Sequence, residues 1–499
     1  MKPVKQFKSV RNLQPGRSLF DLSYDKKFTC DMGKLIPIMC DECVPGDIFE
    51  ISNGAIVRFQ PLVAPVLHQI DMYVHYFYVP YRLLWDDWEE FITGGVDGDD
   101  ATAIPTWTPT GSGNDKGTLW DYLGFPINVV ATGAEPIDFP RRAYNFIFNE
   151  YYRDETLQTE IALTNETILI RNWEKDYFTS ALTFQQRGTA PALPIAGTSH
   201  AVWDSGSVIN GVPATTVGVN TIASNPYLYT NGVGASGNLR AVLNDNDVDL
   251  SGATTWDIAD LRLAFQIQRW MERNARSGVR YTEFLKAHFG VAPSDDRLQR
   301  PEYVGGTKSP IIISEVLQTS ETGTTPQGNL AGHGLGIQAG YVGKYHVKEY
   351  GLIMGIMSIM PKPAYSQGIN RQWLRRTRYD FYFPEFANLS EQAIIRAEIY
   401  ANDSSSDNNT IFGYQGRYDE MRVKHNMVCD DMRDTYDYWH LAREFSSAPL
   451  LNESFIQCVP DKRIFAAESE PGLIVSFANN IKALRPLPII AEPGLIDHD

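Results

Sequence analysis

The sequence predicts a mainly β protein with long loops, arranged as a sandwich or barrel. The chain has 499 residues, of which 43% are hydrophobic and 12% aromatic. This is enough apolar material for a large core, and it excludes a disordered chain. Short apolar stretches of strand length recur between Pro and Gly signals, whereas helical patterns are few. That spacing favours a sandwich or barrel over alternating β-α-β units.

Strand patterns dominate the chain. Predicted strands cover residues 48–51, 56–59, 71–79, 310–317, 341–360 and 378–383. The clearest of them, 71–79, has apolar or aromatic side chains on both of its faces. One face carries Met72, Val74, Tyr76 and Tyr78, and the other carries Tyr73, His75 and Phe77. We therefore expect this strand to be buried on both sides.

Four segments have the residue spacing of helices. They are residues 84–92, 141–152, 256–276 and 389–400, and Ser390 is a candidate N-cap for the last of them. The longest segment repeats apolar residues on two faces, which predicts a helix packed between layers. None of the four carries an enzyme signature.

Residues 188–238 form an unusual stretch with a single formally charged residue, Asp204. A flexible linker would lack large side chains, but this stretch contains Trp203, Tyr227, Leu228 and Tyr229. We interpret it as a folded insertion, and insertions of this size lie at the surface.

The insertion divides the predicted domains of the chain. Residues 1–187 are the N-terminal arm and the first part of the core. Residues 188–255 are the insertion, and residues 256–499 are the rest of the core and its interface loops.

Positive charge is scarce but clustered. The net charge of −16 argues against a dedicated nucleic-acid-binding protein, since phosphate contacts need grouped Lys and Arg. A basic N-terminal arm contains Lys2, Lys5, Lys8, Arg11 and Arg17. A second cluster around Trp373 contains Arg371, Arg375, Arg376 and Arg378. Such groups either contact single-stranded nucleic acid or pair with carboxylates of this chain or a neighbour. We favour pairing for the second cluster, and both readings stay open for the arm.

The five cysteines do not form a disulfide or zinc framework. An odd number without framework spacing suits a reducing compartment. Cys40 and Cys43 form a lone CxxC, and one pair cannot complete a tetrahedral zinc site, so we interpret them as structural thiols rather than a zinc or redox site.

The N-terminus has no apolar signal segment, and the longest hydrophobic run, 351–360, is about half a membrane span. We expect no membrane insertion and synthesis in a cytoplasm.

Two acidic clusters resemble sites without completing them. Residues 85–90 place four carboxylates beside two tryptophans, as glycosidases do, but carboxylates this close in sequence usually form a solvated helix face. Asp245, Asp247 and Asp249 resemble the start of a calcium loop, in which Leu250 replaces the required Gly. Loose cation binding at the surface stays an alternative there. We expect no catalytic residue, no metal ligand and no cofactor.

One long motif makes the sequence recognisable. Residues 281–306 read YTEFLKAHFGVAPSDDRLQRPEYVGG. Further distinctive stretches begin at residues 20, 44, 77, 139, 326, 365, 412 and 493, and they read FDLSYDKKFTCDMGKLIP, VPGDIF, FYVPYRLLWDDWEEFITGG, FPRRAYNFIFNEYYRDE, PQGNLAGHG, YSQGINRQWLRRTRYDFYFPEFANLSEQ, FGYQGRYDEMR and PGLIDH. With these motifs the chain resembles the major capsid proteins of the Microviridae, specifically the gokushovirus branch. Residues 188–255 and the Cys40 and Cys43 pair lie outside the resemblance.

The resemblance implies a fold and an assembly. The fold is an eight-stranded antiparallel viral jelly roll with long interstrand loop insertions and a few short helices. Copies assemble into a T=1 icosahedral shell around circular single-stranded DNA, in the cytoplasm of the bacterial host. In this family a long insertion builds protrusions at the three-fold axes that engage the host. The mature location is the virion.

The resemblance also implies partners and roles. They are further copies of the chain, the single-stranded DNA genome, a small basic DNA-binding virion protein and a bacterial host surface receptor. We hypothesise that the basic arm, Lys2, Lys5, Lys8, Arg11 and Arg17, faces the genome. For the host contact we single out the bulky insertion residues Trp203, Tyr227, Leu228 and Tyr229. The alternative function is a secreted-type or surface β protein that binds carbohydrate or acts on glycans.

Overall fold

The computed structural model describes residues 16–96, 101–109, 114–191, 208–209, 212–213, 217–222, 225–230, 258–278, 280–317 and 330–490. The chain divides into two compact units. The first comprises Met1–Gln185 and Arg276–Asp499, and the second comprises Gln186–Ala275. No helix among the described residues is long and apolar enough to span a bilayer. The domain boundaries predicted from the sequence stay a prediction.

The described part of the chain contains seventeen strands. They are β1 (Ser18–Asp21), β2 (Tyr24–Cys30), β3 (Ile36–Cys43), β4 (Ile48–Phe59), β5 (Ile70–Pro80), β6 (Val208–Ile209), β7 (Val212–Pro213), β8 (Val217–Ile222), β9 (Asn225–Thr230), β10 (Glu302–Leu317), β11 (Leu330–His346), β12 (Gly351–Pro361), β13 (Ala364–Tyr365), β14 (Glu391–Ile395), β15 (Ile411–Gly416), β16 (Asn426–Met427) and β17 (Leu473–Arg485). Helices α1 to α7 are Trp88–Thr93, Leu119–Tyr122, Phe139–Ile147, Ile258–Ser277, Tyr281–Phe289, Ser405–Asn408 and Glu453–Ile456.

Nine strands form one curled antiparallel sheet within the described residues. Eight of them follow the order β1, β17, β4, β11, β10, β5, β12, β3, and β2 also pairs with β17. The sheet turns at β10, because Ile312–Leu317 pair with β11 whereas Glu302–Ile311 pair with β5. The two halves enclose one hydrophobic core, to which both contribute their inward-facing residues. The predicted fold class, an antiparallel viral jelly roll with few helices, is confirmed.

The strand β5 is buried on both sides, as the sequence predicted. Met72, Val74, Tyr76 and Tyr78 point into the main core. On the opposite face, Phe77 packs with residues of β12 and of α3 in a second core. The hydrophobic run that forms β12 is buried along its whole length. It is therefore a central strand covered on both faces.

Several predicted strand boundaries were wrong. The segments 48–51 and 56–59 are one strand, β4, because the residues between them pair with β11 on one side and β17 on the other. Asn53 in this stretch is buried, and its amide donates to the Thr307 hydroxyl at 3.2 Å. The segment 341–360 is two strands, β11 and β12, separated by residues 347–350. Residues 378–383 form no strand and begin with a 3-10 turn, Arg378–Asp380.

The helix predictions had mixed outcomes. The segment 256–276 is α4, but Leu263, Phe265 and Trp270 are exposed, contrary to the burial of both faces that the sequence predicted. The segment 141–152 is α3 followed by a π-helical turn, Phe148–Tyr152, and the segment 84–92 is helical only as the short α1. Residues 389–400 were predicted wrongly, because they form β14 and a 3-10 turn.

Tertiary pairing explains the wrong helix at 389–400. Its residues 391–395 pair with β15, and Gln392 and Ile394 alternate inward along the strand. This pairing outweighs the weak helical spacing of the segment. Ser390 caps no helix, and its backbone carbonyl accepts a hydrogen bond from the Arg417 amide at 3.1 Å.

Candidate nucleic-acid and assembly surfaces

The basic N-terminal arm lies mostly outside the described residues. Lys2, Lys5, Lys8 and Arg11 belong to that part. Arg17 is described and exposed, and it lies beside the turn at Gly46 and Asp47. Burial raises the pKa of the Asp47 carboxyl, and the charges of Arg485 and Arg17 partly offset that rise. The genome contact of the arm stays a prediction.

The second arginine cluster divides into buried and exposed members. The Arg371 guanidinium lies 2.6 Å from the Glu398 carboxylate, and Arg375 lies 3.1 Å from Glu420. Both carboxylates are buried, so the predicted pairing is confirmed for these two arginines. Arg376 and Arg378 form no ion pair with a described carboxylate.

The exposed side of this second cluster is rich in aromatic rings. The Arg378 guanidinium lies over the Tyr379 ring, 4.8 Å from its centroid. Trp373 is 72% exposed, and Phe381 and Tyr382 are about half exposed. Aromatic and Arg side chains of this kind are enriched where proteins meet other proteins. The surface thus suits contact with a neighbouring subunit.

The insertion contains an antiparallel hairpin of β8 and β9. Tyr227, Leu228 and Tyr229 lie on β9, in register with Asn220, Val219 and Gly218 of β8. A shorter pair, β6 and β7, precedes it. Trp203 lies outside the described residues. The strand-forming character expected of the insertion is present, and the host contact of its bulky residues stays a prediction.

The acidic cluster at 85–90 surrounds the start of α1. Asp86, Asp87, Glu89 and Glu90 are all exposed. Carboxylates near a helix N-terminus interact favourably with the helix dipole, which explains them without a catalytic role. The other acidic cluster, Asp245, Asp247 and Asp249, lies outside the described residues. Among the described residues, no group of His, Cys, Asp and Glu could hold a metal ion.

The thiols of Cys40 and Cys43 lie on β3. Cys43 is buried and Cys40 is partly buried. Burial raises the pKa of the Cys40 thiol to about 12, and it raises that of Cys43 as well. A protonated thiol is a poor nucleophile and a poor metal ligand. This environment supports the structural interpretation of the pair.

A groove on the outer side of β5 was not predicted from the sequence. It has a volume of about 510 Å³, and it is lined by His75, Phe77, Tyr151, Tyr152, Arg171, Asn172, Asp295, Arg300 and Tyr303. The aromatic side chains come from β5, from β10 and from the turn after α3. The outward-facing triplet Tyr73, His75 and Phe77 was the available sequence signal. Only the fold brings Arg171 and Tyr303 beside it.

Comparison with known proteins identifies the family. A family model described as "Capsid protein (F protein)" matches residues 8–495. The chain belongs to this capsid protein family. It is 34% identical to the capsid protein VP1 of Chlamydia phage 1, over 98% of this chain and 97% of the relative. It is 33% identical to VP1 of Bdellovibrio phage phiMH2K and 31% identical to VP1 of Spiroplasma virus 4, each with at least 97% coverage of both chains.

Membership of this family confirms the resemblance to gokushovirus-type Microviridae capsid proteins. It supports a structural role, assembly into a multimeric shell and a place in the virion.

Proposed function

We propose that this chain is the major capsid protein of a single-stranded DNA phage and forms a T=1 icosahedral shell around a circular genome. The observation that carries the proposal is the similarity to three phage VP1 capsid proteins over almost the whole of each chain. The antiparallel jelly roll supports it, because this architecture is common in viral capsids.

Exposed apolar surface gives the subunits material for association. On the outer face of the sheet, Ile56 of β4 lies in register with Ile337 of β11, and both side chains are exposed. Ile312 of β10 pairs with Leu335 of β11 beside them and is also exposed. A stable interface buries roughly 1,600 Å². Neighbouring subunits would cover apolar patches of this kind.

Charge requires a cation between the subunits and the genome. A net charge of −16 for each copy opposes the enclosure of DNA unless the inner face is locally basic or a polycation intervenes. The basic N-terminal arm would supply the local charge from this chain. A small basic DNA-binding virion protein, synthesised with the capsid protein in the host cytoplasm, would supply the remainder.

Shell formation tests the main proposal. The full chain, expressed with the other structural proteins of its phage, should sediment as particles, and electron microscopy of those particles should give T=1 symmetry. A folded product that stays monomeric under these conditions would contradict the proposal. Particles of another symmetry would overturn the T=1 assignment alone.

A charge-matched pair of variants tests the basic arm. Replacement of Lys2, Lys5, Lys8, Arg11 and Arg17 by Gln should lower the DNA content of purified particles, because phosphate contacts are lost. The control replaces five exposed lysines outside the arm, Lys27, Lys116, Lys344, Lys424 and Lys482, and changes the net charge equally. Equal DNA content in both variants would remove the arm from the genome contact.

Deletion within the insertion tests the host contact. Particles that lack residues 198–239 should assemble but adsorb poorly to host cells, because the insertion would form the three-fold protrusion. Substitution of Tyr227 and Tyr229 by Ser, in full-length particles, tests the same surface if the deletion prevents assembly. Normal adsorption of intact variant particles would refute the assignment.

A further inference from the structure

We propose that the groove over β5 binds a nucleotide of single-stranded nucleic acid, with its base among the aromatic rings and its phosphate at Arg171. The inference rests on the proposed function, because the enclosed genome would supply the nucleotide. It differs from the hypothesis of the basic arm, because it places a contact on the folded core of the subunit.

Partly exposed aromatic rings line the groove, with Tyr303 the most exposed of them. His75 and Phe77 of β5 line the groove with ring centroids 6.3 Å apart, and the Phe77 ring is buried beneath its neighbours. Tyr152 stacks on His75 at 5.9 Å, and Tyr303 lies 5.5 Å from Phe77. Single-strand-binding proteins use such rings to stack bases, without regard to sequence. This surface suits the base of a nucleotide.

Arg171 gives the groove an unbalanced positive charge. Its guanidinium lies over the Tyr73 ring at 4.4 Å, and it donates a hydrogen bond to the Ser358 hydroxyl at 2.8 Å. Within the described ranges, no carboxylate lies at ion-pair distance from it. Arg300, on the other side of the groove, is in contrast paired with Asp295 at 2.7 Å. A partly buried cation without a carboxylate partner suits a phosphate.

His75 does not add to this charge at neutral pH. Burial and the nearby charge of Arg171 lower the pKa of His75 to about 4. Its Nδ1 lies 2.8 Å from the Tyr152 hydroxyl, which holds the imidazole against that ring. The neutral imidazole therefore belongs to the stacking surface, and Arg171 remains the anion-binding group.

Asn172 holds the turn that carries Tyr152 at the groove. Its amide nitrogen donates to the Tyr152 carbonyl at 3.1 Å and to the Gln158 side chain at 2.7 Å. Its Oδ1 is buried and accepts no hydrogen bond from the described residues. Asn172 thus anchors the backbone of Tyr152 beside the groove.

The strand β10 keeps the groove open. The pairing of β10 with β5 shifts by one residue between Tyr303 and Gly305, which leaves an extra residue on β10. Such a β-bulge changes the direction in which the neighbouring side chains point. A Cβ added at Gly306 would lie 2.6 Å from the Tyr303 hydroxyl and 2.6 Å from the Val74 carbonyl oxygen. Glycine at this position thus allows the Tyr303 ring to lie beside His75.

Oligonucleotide binding tests the inference. The probe is a fluorescent eight-residue oligothymidylate, compared by anisotropy with an abasic strand of equal length and charge, using the full-length chain. Contacts of the basic arm with phosphates should be equal for the two strands, because the strands carry the same charge. Tighter binding of the thymidine strand therefore measures base stacking. We expect Tyr303→Leu and Arg171→Gln to weaken binding of the thymidine strand about tenfold. The control Tyr341→Leu, at an exposed strand tyrosine outside the groove, should leave it unchanged.

Cross-linking locates the contact. An oligonucleotide with 5-iodouracil should cross-link under ultraviolet light to peptides that contain residues 73–77, 151–152 or 303. Equal affinity for both strands, or cross-links confined to other peptides, would overturn the groove assignment even if the wild-type chain forms shells. Absence of shells would instead count against the proposed function. If Arg171→Gln does not fold, Tyr303→Leu decides, because that side chain is 49% exposed.

Discussion

Individual charged residues determine how tightly the loops after β12 are held. Glu398 is 2% exposed, and it accepts hydrogen bonds from Arg371 at 2.6 Å and from the Tyr177 hydroxyl at 3.1 Å. Burial raises the pKa of Glu398, and the charge of Arg371 opposes that rise. Arg371 is therefore a structural residue, although it belongs to a cluster that also suits nucleic-acid binding.

Substitution of two arginines in the second cluster separates the two roles. Arg371→Met should lower the free energy of unfolding by about 3 kcal/mol, because it leaves a buried carboxylate without its partner. Arg376→Met should change it by less than about 0.5 kcal/mol, because Arg376 is exposed. Denaturant unfolding of the unassembled chain gives both values. Equal losses in the two variants would contradict the division of the cluster.

Asp41 should make stability depend on pH. Burial raises the pKa of this carboxyl to about 6, although Arg485 opposes the rise. The folded state then holds a proton that the unfolded state releases near pH 4, so stability falls as the pH rises from about 4 to 6.

Asp41→Asn should remove this dependence. The variant should match the wild type near pH 4 and exceed it at pH 8 by about 3 kcal/mol, since one pKa unit corresponds to about 1.4 kcal/mol and the pKa of Asp41 rises by about two units. Thermal unfolding between pH 4 and 8 measures the difference, and Asp86→Asn, at an exposed carboxyl, is the control. A wild type that is more stable than Asp41→Asn at pH 8 would show that the charge is stabilising.

At the scale of elements, one tight turn fixes the groove to the sheet. Gly33 lies between β2 and β3 with a φ of 81°, which glycine adopts without steric cost. Its amide donates to the Ile359 carbonyl at 2.8 Å, and its carbonyl accepts from the Arg171 amide at 2.8 Å. The turn therefore holds the Arg171 backbone beside β12.

Two glycines with the same φ give a matched test of this turn. A Cβ at Gly33 would lie 1.8 Å from the Cys458 carbonyl oxygen, whereas a Cβ at Gly117, also at 81°, would meet no atom within 4 Å. Gly117→Ala should cost about 1 kcal/mol of stability, from the backbone conformation alone. Gly33→Ala should cost more than about 3 kcal/mol and yield little soluble chain. Similar yields and thermal midpoints for both variants would refute the steric argument.

At the scale of the whole molecule, net charge should control association. Each copy carries −16, so copies repel one another when salt does not screen them. The screening length falls from about 30 Å at 10 mM salt to about 8 Å at 150 mM. Sedimentation of DNA-free subunits should therefore show stronger association at 150 mM salt. Weaker association on addition of salt would mean that ion pairs between subunits dominate.

The sequence correctly predicted those strands and helices that depend on local residue periodicity. The alternation along β5 identified a strand buried on both sides, and the spacing in α4 identified the longest helix. The sequence motifs predicted the family, and with it the jelly roll. These inferences succeed because a strand or helix shows which of its faces is buried in its own residue order.

Only the tertiary structure decided features that depend on residues distant in sequence. The turn-like residues around Asn53 continue a strand because β11 and β17 pair with them from both sides. The groove needs Arg171 and Tyr303, which are separated from β5 by about 100 and 230 residues in the chain. Periodicity in the sequence does not indicate which distant residues come into contact, because strand pairing and packing determine those contacts. The sequence by itself determined the β class and the family of this protein, and the fold determined which side chains form its surfaces.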